Sequence, residues 1–457
     1  MKNIGLNNKH MQAIKIFLLI VLFTLSQIAR GQETGDSVLS LKACIQLSFI
    51  HNAKLEQARL ETEKSLYQYK EATAAGLPQI GGVASLEDYF NIPVTMVSGD
   101  IVGQPGTMVP IQLGTKYYIN TGIQAGQMLY NASYNASVRL FKKACEISDL
   151  NFMKNKEELA DNIARLYFFI QTSDLQLALL DSNLVSLQKV YQYSEQHYEN
   201  GFIPRPDLDR VEVSLNNLKA EKENLQLARD QQLNMLKYLI GFNQDQVLVI
   251  SNKSGLISSL LFQPDSTFST LTEMKLLEQQ KELAKINLKL AQSSHVPSLS
   301  GYAGYSYQAP LEEFGLIDNH DNWYKTSFIG IKLSFPLFEG NRVRNKISQS
   351  RLDIEQADIG RQDLQNELNV RLRNASQKLA VNQSLESGLS INMKLAGNIY
   401  RITHEQYRQG VKSFTDVLNA QSEYNASHLS WLNALLQIKL SELELIKLNG
   451  MISSLYL

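Results

Sequence analysis

The sequence predicts a mainly helical protein with a smaller contribution from β-strands, built as two copies of one structural design. Three observations lead to this prediction: long stretches that lack Gly and Pro, short alternating stretches at two equivalent places, and landmarks that recur in register. The segment Tyr198-Glu-Asn-Gly201 returns 209 residues later as Tyr407-Arg-Gln-Gly410. Because an internal repeat fixes the architecture of a chain, we divide the mature sequence into two halves.

Other landmarks keep the same order, which strengthens the case for a repeat. The same residue type occurs 209 positions further on for Tyr191, Asp207, Leu227, Leu236, Leu239 and Gly241. Upstream of these, Pro78 and Leu129-Tyr130 have counterparts at Pro297 and Leu337-Phe338. The resulting division is a first copy at 32–241, a linking segment at 242–264 and a second copy at 265–457.

The first 31 residues are expected to form a secretory signal peptide. Lys2, Lys9 and Lys15 precede the apolar run 16–25, and small residues around Gly31 suit a signal peptidase. Removing this segment with its four basic residues takes the formal charge from −1 to −5, which argues against nucleic acid as a partner. After residue 31 no stretch is apolar over the roughly 18 residues that a transmembrane helix needs.

In the first copy a helix leads into a pair of strands. The three-four spacing of apolar residues predicts one helix at 38–75, which Gly76 ends. A β-hairpin is predicted at 82–130, and its clearest strand is 117–125, where apolar and polar residues alternate. The intervening stretch 91–115 is rich in Gly and Pro and is expected to form a long exposed loop.

The second copy repeats this order with better contrast. A helix at 268–293 leads into a β-hairpin at 301–338, in which 302–308 and 327–335 are the strands and 309–322 is a polar loop. Strands of nine or more residues are long enough to span a bilayer when tilted. Four strands cannot close a barrel alone, so the chain must either assemble with other copies or not span a membrane.

Long helical hairpins follow each strand pair. The stretch 136–200 lacks Pro and Gly and predicts a helix about 98 Å long at 1.5 Å per residue. The helix at 207–240 places Leu and Val near seven-residue repeats, so the two helices should pack as a coiled coil. Helices at 342–408 and 413–449 repeat the arrangement, with the hairpin tips near Gly201 and Gly410.

In this order of elements the chain resembles the TolC-like outer-membrane efflux and secretion channels of Gram-negative bacteria. The motifs that carry the resemblance are Leu129-Tyr130-Asn131, Leu337-Phe338-Glu339-Gly340 and the two Tyr-x-x-Gly tips. The resemblance implies a homotrimer in which four strands per protomer form a shared twelve-stranded transmembrane β-barrel, while the helices continue as a trimeric α-barrel through the periplasm. It also implies partners: a periplasmic adaptor, or membrane fusion, protein, an inner-membrane pump and outer-membrane lipid, with no cofactor.

The resemblance places candidate functional residues at the two tips. The residues that match adaptor-contacting tips are Gly201, Phe202, Ile203, Gly410 and Val411. The residues that match a periplasmic gate, which holds the entrance shut, are Asp207, Tyr407, Lys412 and Asp416. Three-fold symmetry would turn each Asp416 into a ring of three carboxylates, and such a ring favours cations at a narrow aperture.

Two departures from the family pattern affect the predicted gate. Lys412 stands where an Arg can occur, and Asn419 stands where a second acidic residue can occur. A purely structural interpretation stays open beside the gate: Asp207 and Asp416 are carboxylates at helix starts, where the helix dipole favours them. In that interpretation Tyr407 only packs across the coiled coil.

No catalytic motif is present in the sequence, so an enzyme is not expected. The seven His residues are scattered, and the Asp-Asn-His-Asp run at 318–321 is expected to be a solvated turn and not a metal site. The alternative functions are a secreted or periplasmic coiled-coil scaffold and, within transport, a channel for proteins or peptides. Cys44 and Cys145 could form a disulfide in an exported protein, but two small buried side chains are the expected outcome.

Overall fold

The computed structural model describes residues 38–251, 268–314 and 323–457. The predicted signal peptide at 1–31, most of the linking segment 242–264 and the acidic run 318–321 lie outside the described residues. The elements of the first half are β1 (Val38–Leu39), α1 (Leu41–His51), α2 (Ala53–Ala74), β2 (Gln79–Asp88), β3 (Val94–Ser98), β4 (Met108–Gln112), β5 (Tyr117–Tyr130), α3 (Ala132–Glu199), α4 (Arg205–Ile240) and β6 (Val249–Ile250). The elements of the second half are α5 (Thr272–Ser293), β7 (Ser298–Leu311), β8 (Tyr324–Ser334), α6 (Arg342–Arg408) and α7 (Phe414–Leu448).

The long helices and the four main strands are confirmed, but two predictions for the first half were wrong. The single helix expected at 38–75 is a strand followed by two helices, because Asn52 starts a new helix by accepting a hydrogen bond from the backbone N–H of Leu55 at 3.0 Å. The stretch 91–115 is largely exposed as expected, but it is no simple loop, because it contains the antiparallel pair β3–β4, in which Val97 lies opposite Val109. Gly103, Pro105 and Gly106 lie in the connection between the two strands, and Pro110 lies within β4, which has a strand partner on one side only among the described residues.

The four long strands form one antiparallel sheet in the order β2-β5-β7-β8. The helices that adjoin these strands pack in the same order, since α2 contacts α3, α3 contacts α5 and α5 contacts α6. Each strand is therefore joined directly to one helix, and the helices lie side by side in the same order as the strands. Within the described residues β2 and β8 each have a strand partner on one side only.

The alternation of Gly and Tyr in the second strand pair has a packing reason. Tyr302 lies opposite Gly330, and Phe328 lies opposite Gly304. A Cβ atom at Gly330 would come within 2.5 Å of the Tyr302 ring, and one at Gly304 would come equally close to the Phe328 ring. The two aromatic rings thus lie across the glycines of the neighbouring strand, with their centroids 5.9 Å apart.

The largest core lies where the two helical hairpins meet the short segments around residues 38–52 and 249–251. Tyr167 and Phe168 of α3 are at its centre, and the Tyr167 hydroxyl donates a hydrogen bond to the Ser251 carbonyl at 2.9 Å. Cys44 is buried in this core, which raises the pKa of its thiol to about 12. Both cysteines are free thiols; Cys44 is buried as expected, whereas Cys145 is only half-buried.

An ion-pair network beside this core joins three long helices. The guanidinium of Arg165 on α3 lies 2.7 Å from the carboxylate of Glu444 on α7, and Arg371 on α6 lies 2.8 Å from the same carboxylate. Lys447 reaches back to the buried Asp161 of α3 at 3.1 Å. Asp161 is largely buried, so the loss of its cationic partners would leave a carboxylate with little access to water and no opposite charge nearby. No helix in the described part of the chain is long and apolar enough to cross a membrane.

Candidate functional site

The candidate site is formed by the ends of the two helical hairpins, which we call the first tip (residues 198–207) and the second tip (residues 407–416). At the first tip α3 ends because Gly201 adopts a positive φ of 73°. The chain then folds back so that the N–H of Phe202 donates to the carbonyl of His197 at 2.8 Å. This is a helix C-terminus of the Schellman type, which satisfies carbonyl groups that the helix itself leaves unpaired.

The second tip repeats this turn. Gly410 has a φ of 75°, and the N–H of Val411 donates to the carbonyl of Gln406 at 2.9 Å. Both glycines are surrounded by open space, so their positive φ and not a close neighbour explains the residue type. The predicted equivalence of the two glycines therefore has a direct structural basis in the backbone.

The two tips differ in how the next helix begins. Pro204 precedes α4 and no side chain caps that helix, whereas a capping box starts α7. The Ser413 hydroxyl accepts from the N–H of Asp416 at 3.2 Å, and the Asp416 carboxylate accepts from the N–H of Ser413 at 3.0 Å. Hydrogen bonds from the Ser413 side chain, then from its backbone, hold the pKa of the Asp416 carboxyl below its usual value, and Lys412 contributes in the same direction.

A cleft of about 400 Å³ lies between the two tips. Its walls are Ser194, His197, Phe202, Ile203, Asp207, Tyr407, Gly410, Lys412, Ser413 and Phe414. The structure therefore brings together six of the nine residues predicted for the site, from helices that are about 200 residues apart in sequence. Gly201, Val411 and Asp416 lie at the tips but are not part of the lining.

Tyr407 joins the two hairpins across this cleft. Its hydroxyl lies 2.7 Å from the hydroxyl of Ser194 on α3, and its ring packs against Phe414 with the centroids 6.2 Å apart. Ser194 is fully buried, so this bond satisfies a hydroxyl that water cannot reach. Sequence reasoning missed Ser194, because nothing in the sequence indicates which of many helical serines meets a residue 213 positions away.

Apolar side chains and ion pairs occupy separate parts of the tips. Phe202 and Val411 are 75% and 69% exposed, which is unusual for large apolar residues. Asp207 pairs with Arg210 at 3.2 Å within the first turn and a half of α4. Each predicted acidic residue therefore has a local partner, as the structural interpretation of Asp207 and Asp416 anticipated. Phe202 meets only the edge of the His197 ring, with the centroids 5.8 Å apart, and most of its surface stays exposed.

A second cluster, which the sequence reasoning did not identify, lies further along the α6–α7 hairpin. Tyr400 of α6 and Tyr424 of α7 stack nearly parallel, with an interplanar angle of 8°. His404 and His428 flank this pair, and burial lowers the pKa of both imidazoles. Among the described residues no group of three or more His, Cys, Asp or Glu side chains is arranged to hold a metal ion.

Comparison with known proteins gives a consistent result. A family model described as outer membrane efflux protein matches residues 44–242 and 272–451. The chain is similar to the outer membrane protein TolC of Salmonella enteritidis, with 19% identity over 351 residues that cover 74% of this chain and 66% of that protein. It is also similar to the solvent efflux pump outer membrane protein SrpC of Pseudomonas putida, with 25% identity over 304 residues that cover 64% of this chain and 62% of that protein.

The chain spans just under two thirds of the length of each of these two curated relatives. Among solved structures, the outer membrane protein VceC from Vibrio cholerae superposes with a TM-score of 0.71 at 16% identity, covering 90% of this chain and 96% of that one. A likeness at this level of identity shows a shared fold. The mainly helical class with a four-stranded sheet contribution, predicted from the sequence, is thereby confirmed.

Proposed function

The chain belongs to the outer membrane efflux protein family, and from this premise we propose that it forms the outer-membrane channel of a tripartite efflux or type I secretion system. The sheet lies in the outer membrane and the long helices extend into the periplasm. Solutes pass outward through the channel after delivery by a periplasmic adaptor and an inner-membrane pump. The two halves at 32–241 and 265–457 act as two repeats of one design around the bore.

The open sheet is the observation that carries this proposal. The strands β5 and β7 each contain 14 residues, or roughly 46 Å at 3.3 Å per residue, which is ample for a tilted membrane strand. In lipid a free strand edge is too costly, because backbone groups find no other partner there. Pairing β8 of one copy with β2 of the next removes both free edges. Three copies supply the twelve strands that the family resemblance implies, so we propose a homotrimer.

The helices offer a second reason for assembly. Large apolar residues along α6 are about half exposed in the single chain, at Leu352, Ile359, Val370, Val381, Ile391, Ile399 and Ile402. A soluble helix surface rarely leaves such a row uncovered. In the helix order α2-α3-α5-α6, α6 is the last helix, just as β8 is the last strand of the sheet. The copy whose β2 pairs with β8 therefore also covers the exposed face of α6.

We assign the tips to two tasks within this channel. The adaptor contacts the exposed turns at Gly201, Phe202, Ile203, Gly410 and Val411, because apolar side chains on a small-residue turn permit close approach. The periplasmic gate consists of Asp207, Tyr407, Lys412 and Asp416. The gate assignment is supported by the cleft, which gathers three of these four side chains at the end of the helical layer.

Size and membrane location give the first test. The envelope is fractionated, the protein is extracted with detergent, and its mass is measured by light scattering corrected for bound detergent. A trimer in the outer-membrane fraction is the expected result. A periplasmic monomer or dimer that needs no detergent would overturn the channel and favour the coiled-coil scaffold.

Conductance in planar bilayers then tests the gate. Asp416→Asn removes the negative charge but keeps an oxygen that accepts the hydrogen bonds from Ser413. The variant therefore tests the effect of the charge on passing ions while the helix cap is retained. We expect the preference for cations over anions to fall in this variant. The matched control is Asp149→Asn on the exposed surface of α3, which should leave the preference unchanged. An unaltered preference in Asp416→Asn would contradict the proposed acidic ring.

A further inference from the structure

We propose that the β3–β4 pair with its turn, residues 94–112, is a contact surface for a second copy of this chain. We call this segment the outer hairpin. The inference rests on the proposed trimer, since the trimer supplies the neighbouring copy. Its starting point is that the segment is folded and largely apolar, although its Gly and Pro content predicted an exposed loop.

The position of the outer hairpin is set by the strands on either side. It follows the end of β2 at Asp88 and precedes the start of β5 at Tyr117, so it lies at the end of the sheet opposite the long helices. The strand β2 is also an edge strand of the described sheet. The outer hairpin therefore leaves the sheet along the seam where β8 of a second copy pairs, and its surface is continuous with the proposed interface.

One face of the outer hairpin is apolar and uncovered. Met96 lies opposite Pro110 and Ser98 lies opposite Met108, which places both methionines on the same face. Met96 and Met108 are 52% and 61% exposed, and Val94 on the same face is 56% exposed. The other face is also apolar, but its members Val97, Val109 and Ile111 are already half-buried. Thr95 on that face is exposed but small, so of the two faces it is the methionine face that exposes large apolar side chains.

The charge of the segment indicates what kind of partner fits. Between residues 89 and 115 the sequence has a single charged side chain, Asp100. Its carboxylate already accepts a hydrogen bond from the Ser98 hydroxyl at 2.8 Å. Two such surfaces meet without like-charge repulsion, and nothing on them offers the cationic groups that a sugar-phosphate surface requires.

Membrane hydrocarbon is a poor partner for geometric reasons. The outer hairpin is a two-stranded sheet, and within the described residues each of its strands has a partner on one side only. Open sheet edges do not enter the hydrocarbon of a membrane, because their backbone groups would lose water without gaining a partner. A protein surface can instead cover the methionines while leaving the edges in water.

A second copy is the occupant that the proposed assembly places within reach. Around a three-fold axis, the outer hairpin of each protomer stands next to the adjoining protomer at a high effective concentration. A small apolar contact that would be weak between free molecules is therefore stable in the assembled trimer. The contact links neighbouring protomers beyond the outer ends of the strands.

Site-specific photo-crosslinking in intact outer membranes tests this contact. A benzophenone amino acid replaces Met96 on the uncovered face or, as the matched control, Thr95 on the opposite face one residue earlier. We expect irradiation to convert most of the Met96 probe into dimer-sized and trimer-sized bands containing two copies of this chain, and the Thr95 probe to stay largely monomeric. Adducts of the Met96 probe with lipid or with another protein, or no adducts, would overturn the inference.

A second variant measures the contribution of the contact to assembly. Met96→Ser with Met108→Ser is expected to lower the temperature at which the trimer dissociates in mild detergent, whereas Thr95→Ser leaves it unchanged. An unchanged temperature in the double variant would count against the contact. The particle mass separates the two proposals, because a particle that is no trimer refutes the proposed function, while a trimer without Met96 crosslinks refutes only the outer-hairpin contact.

Discussion

The two tips use the same turn to end one helix but different devices to start the next. At both, a glycine with φ near 75° closes the first helix. After it, the first tip relies on the fixed backbone of Pro204 at the N-cap and of Pro206 in the first turn, while the second tip relies on reciprocal hydrogen bonds between Ser413 and Asp416. Both copies thus need a glycine with positive φ to end the first helix. Only the second copy uses side-chain hydrogen bonds to start the next one.

This difference matters because the second tip carries three of the four proposed gate residues. A start held by a titratable carboxylate responds to charge and pH, whereas a start held by a proline ring does not. We therefore expect the first tip to behave as a fixed element and the second as the adjustable one. The predictions below compare the tips by hydrogen exchange of their backbone amides in the detergent-solubilised protein, which reports the free energy of local opening.

The largest effect is expected from removing the glycines. Gly410→Val and Gly201→Val each force a β-branched residue into a left-handed conformation, at a cost of about 2 kcal/mol. Protection of the amides at the altered tip should fall about 30-fold. Gly360→Val in the middle of α6 is the control, because Gly360 is helical and has no positive φ. A large loss at one tip only would show that the turns are not equivalent.

A smaller effect is expected from the bond that joins the hairpins. Tyr407→Phe leaves the buried Ser194 hydroxyl without its partner, which costs about 1.5 kcal/mol, or about tenfold in protection near both residues. The register-matched control is Tyr198→Phe at the first tip, whose exposed side chain stacks under Arg205. Equal losses of amide protection in the two variants would contradict a stabilising role for the hydrogen bond between Tyr407 and Ser194.

The start of α7 should be more sensitive than the start of α4. Ser413→Ala removes the capping hydroxyl and is expected to cost about 1 kcal/mol, or about fivefold in protection of the first turn of α7. Pro204→Ala removes no capping side chain and should cost about half as much. If Pro204→Ala had the greater effect, the proposed contrast between the tips would be reversed.

The smallest effect is a pH dependence confined to the second tip. Hydrogen bonds from Ser413 lower the pKa of Asp416 in the folded protein, so the capping contribution is fully present above the unfolded carboxyl pKa of about 3.9. It is lost as the pH falls through the lower, folded pKa. Protection of the second tip, corrected for intrinsic exchange, should therefore decrease at acidic pH in the parent protein. In Asp416→Asn this additional decrease should be absent; its persistence would assign it to another group.

Local rules predicted the elements whose partners are close in sequence. A long stretch without Gly or Pro gave the helix Ala132–Glu199 close to the expected bounds, and alternation identified the strand that begins at Tyr117. Asp207 and Asp416 were also placed correctly at helix starts, because each follows its tip glycine by a few residues. Each of these signals depends on spacing alone, which a single sequence displays directly.

Features that depend on distant partners were not predicted. Asn52 divides a helical pattern because its side chain caps the next helix and donates to the Leu239 carbonyl at 2.8 Å, and only the folded chain brings Leu239 there. Pairing with Val249–Ile250 makes a strand of Val38–Leu39 for the same reason. In the site, Ser194 was missed because it meets Tyr407 across two helices.

The unbroken length of α3 has a mechanical consequence. Its 68 residues form a rod of about 102 Å, and neither Gly nor Pro provides a joint along it. If such a rod pivots by one degree at its junction with β5, its far end moves by about 1.8 Å, which is close to the radius of a water molecule. A tilt of a few degrees at the sheet end thus displaces the first tip by several ångströms while the backbone hydrogen bonds within the helix stay in place.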